Sequence, residues 1–330
     1  MRAVVTGAFS NSGAAVAAEL LRRGYSVHTL TNRRVPAAVP ISHAPLQFDR
    51  QHLVEQLRGA DLLVNTYWVR LADRLWPTGR SQTVAASGLA FAGAVERSRL
   101  LIDCAREAQV GRLVHFSVSN AERGRNLGYY GGKHQVERHI RDSGICAAIV
   151  RPTLVVGPND VLSGNITWFL RRFPVFLMPR GGRYRLQPIV IDDLARIVAD
   201  LAERTDYAEV DAAGPEVFSF REYVQLLAKG AGVRRWLLSA PNGLAMFALR
   251  LVGKLLSDVV LTSEELLGLQ QELLLSHDPP LGRLSVSQWV LQHGAALGRR
   301  YTNDNQRHFL DHTPVSQLAE PQSPTTHPQD

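Results

Sequence analysis

The opening stretch, MRAVVTGAFSNSGAAVAAELLRRG from Met1 to Gly24, constrains this chain more than any other. Val4 and Val5 read as an apolar strand, Thr6 to Ser12 as a turn of small residues, and Ala14 to Arg23 as a helix whose Val16, Leu20 and Leu21 share a face. Gly24 stands where a left-handed helix stop needs a residue without a Cβ. Strand, tight turn and helix in this order open a parallel sheet. At the helix's amino end the unpaired N–H groups and the positive dipole pole make a seat for a phosphate or pyrophosphate. Gly7, Phe9, Ser10, Asn11 and Gly13 are the candidate residues of that seat. A plain strand-to-helix connection has the same outline. Ser10 puts a hydroxymethyl group where a glycine lets backbone approach the pyrophosphate, and its hydroxyl either obstructs a phosphate oxygen or donates to it.

Tyr25 to Leu30 reads as the second strand, tipped by Thr31, Asn32, Arg33 and Arg34. An acid about 20 residues after the glycine turn would take the ribose hydroxyls of NAD, and none is present. Arg33 and Arg34 instead suit a charge-assisted pair with a 2′-phosphate, so the tip favours NADP, with NAD admitted. The alternative is two solvated arginines before Pro36. Leu46 to Phe48 reads as a third strand ending in Asp49, placed against the adenine edge; a helix from His52 to Arg58 then leads to a fourth strand, Leu62 to Val64. Its tip carries Asn65, Thr66, Tyr67 and Trp68, and ligands of such sheets collect at these carboxyl ends. Asn65 is therefore a cofactor candidate, while Tyr67 and Trp68 either face the ligand or cap the core.

A polar interval at 73–83 precedes a long helix, Leu89 to Ala108, and a fifth strand, Leu113 to Phe116, that ends in Ser117, Val118, Ser119 and Asn120. Ten residues beyond Ser119 begins YYGGKHQVERHI, in which Tyr129 and Lys133 lie four apart on one helix face. A free tyrosine has a pKa near 10, too high for proton transfer at neutral pH, and a nearby ammonium favours the phenolate. Tyr129 is thus the candidate general acid/base, with Lys133 lowering its pKa and reaching nicotinamide-ribose hydroxyls, and Ser119 holding the substrate oxygen. Tyr130 and Ser117 are their rivals. Among the chain's cations only Lys133, Lys229 and Lys254 are lysines. A lysine kept where arginine is the rule suits chemistry that a permanently charged guanidinium cannot perform.

These stretches, with RPTLVVGP at Arg151 to Pro158 and QPIVIDDLA at Gln187 to Ala195, form an ordered set. On them, over roughly residues 1 to 235, the chain resembles the extended or atypical short-chain dehydrogenases/reductases. The nearest group is that of the NAD-dependent epimerases/dehydratases, with NmrA-like relatives. Gly7, Ser10 and Gly13 follow that group's G-x-x-G-x-x-G spacing with serine in the middle. The resemblance implies an α/β fold: a doubly wound parallel (Rossmann) sheet with a smaller, mainly helical carboxyl-terminal substrate lobe. Residues 1–155, with 189–213 returning, would bind NAD(P); residues 156–188 and 214–312 would form the lobe, and 313–330 a disordered tail. It assigns the serine, tyrosine and lysine roles to Ser119, Tyr129 and Lys133, and sets the backbone around Pro152 to Leu154 against the nicotinamide. Atypical members often bind the nucleotide without turnover. Two functions follow: an NADP-preferring oxidoreductase, epimerase or dehydratase, or a non-catalytic NAD(P)-binding regulator or respiratory-complex assembly or accessory protein.

At 330 residues, 45% hydrophobic and 20% charged, the chain suits one large or two moderate soluble domains. The net charge of +7 is spread as arginine pairs without aromatic interleaving, which argues against nucleic acid. No signal peptide or run of about 18 apolar residues is read, so a cytoplasmic protein, monomer or homodimer, is expected. Cys104 and Cys146 read as buried free thiols, and no metal is expected, since His308 and His312 lack a third ligand. From Asn165 to Arg185 the chain is aromatic and basic, suited either to roofing an apolar pocket with Arg180, Arg183 and Arg185 facing an anionic small-molecule substrate, or to ordinary packing. Asp192 is read as a helix cap. Leu244, Phe247, Leu251, Leu255 and Val259 run at helical spacing; packing against the lobe is the preferred reading, peripheral membrane contact the other.

Overall fold

The computed structural model describes residues 1–33, 35, 39–69 and 91–303. Arg34, the polar interval at 73–83, the expected helix start at Leu89, the pair His308 and His312, and the tail at 313–330 lie outside the described residues.

In β1 (Arg2–Thr6), Ala3 and Val5 face one side of the sheet and Val4 the other, all fully buried. That is the pattern of a strand covered on both faces. α1 (Asn11–Arg22) returns over one face, and β2 (Ser26–Leu30) and a short β3 (Ser42–Ala44) extend the sheet. α2 (Arg50–Leu57) leads to β4 (Leu62–Asn65), α3 (Ala92–Glu107) to β5 (Arg112–Phe116), and α4 (Gly128–Ser143) to β6 (Ala147–Pro152). Next come β7 (Leu154–Val156), α5 (Val161–Arg172), β8 (Val175–Pro179), β9 (Arg185–Leu186), β10 (Pro188–Val190), α6 (Ile191–Ala202) and β11 (Ala208–Ala212). The chain closes with β12 (Phe218–Ser219), α7 (Phe220–Gly230), β13 (Trp236–Ala240), α8 (Asn242–Leu256), α9 (Ser263–Gln270) and α10 (Val286–His293).

Seven strands pair in parallel in the order β11, β6, β5, β4, β1, β2, β3. The order reverses between β1 and β4, which opens a crevice at their carboxyl ends. Val16 and Leu20 of α1 and Leu194 and Val198 of α6 cover one face; Leu53 of α2, Ile102 of α3 and Ile140 of α4 cover the other. The sheet is doubly wound, as expected. The smaller part has its own core around Tyr223, Leu227, Leu186 and Val290. It is mainly helical, but three two-stranded pieces brace it: β7 with β10, β9 with β12, and β8 with β13.

The two parts are laced together by the stretch that follows α9. Leu273 O accepts from Ser119 Oγ at 2.7 Å and Asn120 Nδ2 at 3.0 Å, and Leu275 O accepts from Asn120 Nδ2 at 2.8 Å. Gln187 donates its backbone N–H to Leu274 O at 3.0 Å, and its side chain accepts from Ser276 N at 3.1 Å. The Asp193 carboxylate, nearly fully buried, accepts from Arg283 N and Leu284 N, each at 2.6 Å.

Several expectations are corrected. The third strand is Ser42–Ala44, not Leu46–Phe48. Its pairing stops where β2 stops, at Leu30 opposite Ala44, and Pro45 follows without an N–H. The Asn32 side chain then stands in for a strand partner, accepting from Leu46 N at 3.0 Å and donating to Leu46 O at 3.1 Å. Asp192 does not cap α6: the helix continues directly out of β10, Asp192 is exposed in its first turn, and the structural carboxylate is Asp193. Cys104 is buried, whereas Cys146, just before β6, is partly exposed; both are free thiols. The row Leu244, Phe247, Leu251 and Leu255 does not pack on the lobe but is exposed, at 54%, 60%, 49% and 85%. No helix among the described residues is long and apolar enough to cross a membrane.

Candidate active site

The turn before α1 uses contacts that only glycine allows. Gly7 has φ +72°, and a Cβ on Gly13 would lie 2.1 Å from Gly7 O and 2.8 Å from Ser10 Oγ. The helix therefore starts against the strand's end as closely as backbone permits, the role a third glycine has in dinucleotide turns. Ser10 caps α1, its Oγ accepting from Gly13 N at 3.1 Å. Asn11 and Ser12 of the first turn line the principal cavity. Gly13→Ala is expected to cost about 3 kcal/mol, as overpacking against backbone does, read as a lowered melting temperature. Ser10→Gly is expected to cost only about 0.3 kcal/mol, since glycine is itself an acceptable cap.

The other cofactor candidates gather at the same carboxyl edge, several of them with structural partners. Arg33 Nη1 donates to Phe9 O at 3.4 Å, which draws the second strand tip onto the turn. Asp49 caps α2, accepting from His52 N at 2.9 Å. Asn65 is fully buried: its Oδ1 accepts from Tyr67 N at 3.0 Å and its Nδ2 lies 3.1 Å from His115 Nδ1. Burial holds the His115 imidazole well below its ordinary pKa, with the charge of Lys133 acting in the same direction. Pro152 ends β6, and its carbonyl accepts from Ser119 N at 3.1 Å.

α4 presents Tyr129 to the cavity and, one turn further on, carries Lys133 into the interior. Gly132 makes this possible, because a Cβ there would meet the Trp68 ring at 3.1 Å. Lys133 is 2% exposed; its Nζ donates to Phe116 O at 2.6 Å and sits 4.3 Å from the centroid of the Trp68 ring. Burial pushes its pKa down to about 7, with the Glu137 carboxylate acting the other way. Tyr129 packs edge-on against Trp68, Phe91 and Tyr130, with ring centroids 6.0, 5.9 and 5.6 Å away. Tyr130, the rival, is buried and its hydroxyl's pKa is pushed far up by that burial.

Ser119, expected to hold the substrate oxygen, is fully buried and spends its one proton on Leu273 O. Its neighbour Val118 lines the cavity instead. Ser117 Oγ and Trp68 Nε1 are buried without a hydrogen-bond partner.

The cavity, about 1010 Å³, runs from the start of α1 past Tyr129 and deep into the smaller part. Phe169, Phe173 and Phe176 roof it, as the aromatic segment suggested. The arginines of that segment do not reach it: Arg180, Arg183 and Arg185 are absent from the described lining, and Arg185 is paired with Glu272 at 2.7 Å. Sequence reasoning missed the wall supplied by α8. The exposed apolar row stood out, whereas Ala245, Ala248, Leu249 and Val252, offset around the helix, are the residues that face inward. Apolar residues on two sides of α8 were the available signal.

Solved structures with the same architecture include MoeE5 in complex with UDP-glucose and NAD, at TM-score 0.60 and 18% identity over 73% of this chain and 85% of that one. The UDP-glucose 4-epimerase of Thermus thermophilus in complex with NAD superposes at TM-score 0.59 and 19% identity, over 73% of this chain and 86% of that one. The dTDP-glucose 4,6-dehydratase DesIV of Streptomyces venezuelae gives TM-score 0.59 and 20% identity, over 74% and 86%. The chain shares the fold of these three proteins. At these identities the likeness is one of fold. No protein-family model matches the sequence. Uncharacterized proteins of Mycobacterium tuberculosis and Mycobacterium bovis are 26% identical over 235 residues, 69% of this chain. The chain spans only 23% of the length of those relatives.

Within this fold the turn before α1 and the tips of β2, β4 and β6 fall along one edge, and Tyr129 stands where that edge meets the cavity. Such an arrangement suits a dinucleotide laid along the edge with a second molecule in the cavity.

Proposed function

We propose that residues 1–155, with 189–213 returning, bind a nicotinamide dinucleotide along the carboxyl edge of the sheet, and that residues 156–188 and 214–312 hold the substrate. When bound, the cofactor supplies or accepts a hydride at a carbinol or carbonyl carbon. The chain's own groups do the rest. The glycine turn and the first turn of α1 hold the pyrophosphate, Ser10 donating its hydroxyl proton to a phosphate oxygen while its lone pair stays on Gly13 N–H. Arg33 faces a 2′-phosphate, which makes NADP the preferred form. Tyr129 gives its proton to the substrate oxygen as a carbonyl is reduced and recovers it in the reverse direction. Lys133, one helical turn away, supports the phenolate through its charge while it is protonated, that is, up to about pH 7.

The observation that carries this reading is a buried lysine one helical turn from a cavity-lining tyrosine, both set against the Trp68 ring, with the lysine's pKa lowered to about 7 by burial. A titratable group displaced by burial at the foot of a cavity marks a functional site. The relatives of known structure named above are solved with NAD and, in one case, UDP-glucose, which is consistent with a nicotinamide cofactor. A second reading, a non-catalytic NAD(P)-binding regulator or accessory protein, is favoured by the Ser119 hydroxyl being committed to Leu273 and by Trp68 covering Lys133.

Fluorescence titration with NADPH and NADH, followed by a screen for oxidation of bound cofactor across small carbonyl compounds, separates the readings. Tighter NADPH binding with turnover is expected. Tighter NADH binding removes the role given to Arg33, and binding without any turnover moves the chain to the regulator class.

A further inference from the structure

We infer that the substrate of this cavity carries a long apolar chain, an acyl or prenyl alcohol or its carbonyl form, rather than a nucleoside diphosphate. The inference names the substrate class of the site just described and rests on Tyr129 being its reacting end. Beyond Tyr129 the walls are largely hydrocarbon: Ile166 and Phe169 of α5, Phe176 of β8, Leu249 and Val252 of α8, and Leu261. Among the described lining residues there is no arginine, lysine or histidine. A diphosphate set against these described residues meets no cation among them and does meet the carboxylates of Asp160, Glu264 and Glu265, which oppose it.

The polar groups along this depth are committed to the protein. Asp160 caps α5 through Leu162 N and Ser163 N, at 3.0 and 2.9 Å. Asn165 exchanges hydrogen bonds with Thr302 N and O, both at 2.9 Å. Glu264 accepts from Gly128 N at 3.0 Å, and Thr262 and Glu265 form the capping box of α9. What remains is a largely apolar cleft with Tyr129 near its cofactor end. Its volume of about 1010 Å³ lies at the upper end of small-molecule sites.

The test uses the full chain and the neutral fluorescent probe N-phenyl-1-naphthylamine, displaced by 1-octanol, 1-decanol and 1-dodecanol, with UDP-glucose as the comparison. The alcohols are expected to displace the probe with affinity rising roughly fourfold per added methylene, as chain burial requires, and UDP-glucose is expected to leave it bound. Leu249→Trp, which fills the cleft, and Val252→Glu, which puts a charge in it, are each expected to weaken dodecanol at least tenfold. Leu251→Gln, on the exposed side of the same helix, is expected to change nothing and controls for damage to α8. Displacement that ignores chain length, or UDP-glucose competing better than dodecanol, overturns the inference. NADPH titration of the same samples reports the cofactor seat separately, so a chain-length series that persists without NADPH binding supports the apolar cleft and sinks only the oxidoreductase reading.

Discussion

Tyr129→Phe is expected to lower kcat roughly 10²- to 10⁴-fold, the usual contribution of one acid/base group, while NADPH affinity stays within about twofold. The ring remains, so the edge-on contacts with Trp68, Phe91 and Tyr130 survive and only the hydroxyl is lost. Cofactor titration and single-turnover kinetics on the same preparation provide the check. A variant that retains full activity removes Tyr129 from the chemistry. Phe at Tyr130 is the companion control, expected to leave turnover within about threefold, because its hydroxyl is buried and held protonated.

The second large effect is on stability against pH. The unfolded chain keeps the Lys133 proton up to about 10.5, whereas the folded chain, with that ammonium desolvated, releases it near 7. Between these values the unfolded state binds more protons, so stability climbs as pH rises, by up to about 1.4 kcal/mol per pH unit for this one group. Lys133→Met keeps the length of the side chain and removes the titration. Denaturant melts of both proteins from pH 6 to 10 are expected to give curves that diverge, the wild type rising relative to the variant across the window. Cys104, pushed up to about 11 by burial, pulls stability down above pH 9 in both proteins, so the difference curve isolates Lys133. Parallel curves would show that Lys133 stays charged beneath Trp68 and that the cation–π contact outweighs its burial.

The parallel-sheet half of the fold was legible because its signals are local. Strand alternation, the tight turn, and Gly13 three residues after Ser10 each dictate structure over a few residues, and the parallel sheet followed from their repetition. The helix that carries Tyr129 and Lys133 was legible for the same reason, since the spacing of its apolar residues is local. The fate of Ser119 was not. Its hydroxyl is claimed by Leu273, 154 positions further on, a partner that no local pattern reveals. The largely apolar cleft was hidden in the same way: α8 advertised its exposed row, and only the placement of α5, β8 and the 260–262 loop shows that the offset row faces inward. The third strand was misplaced because Asn32 imitates a strand partner along Leu46, an exchange invisible to propensity.

The lacing of residues 273–284 onto Ser119, Asn120, Gln187 and Asp193 bears on how such chains can be recombined. Walls borrowed from another protein cannot bring their own trailing strap, because Asp193 and Asn120 would be left without the backbone groups they hold. The exchangeable unit is the α8–α9 region alone, and a chimera that keeps residues 273–284 while replacing those walls preserves the seam between the sheet and the smaller part.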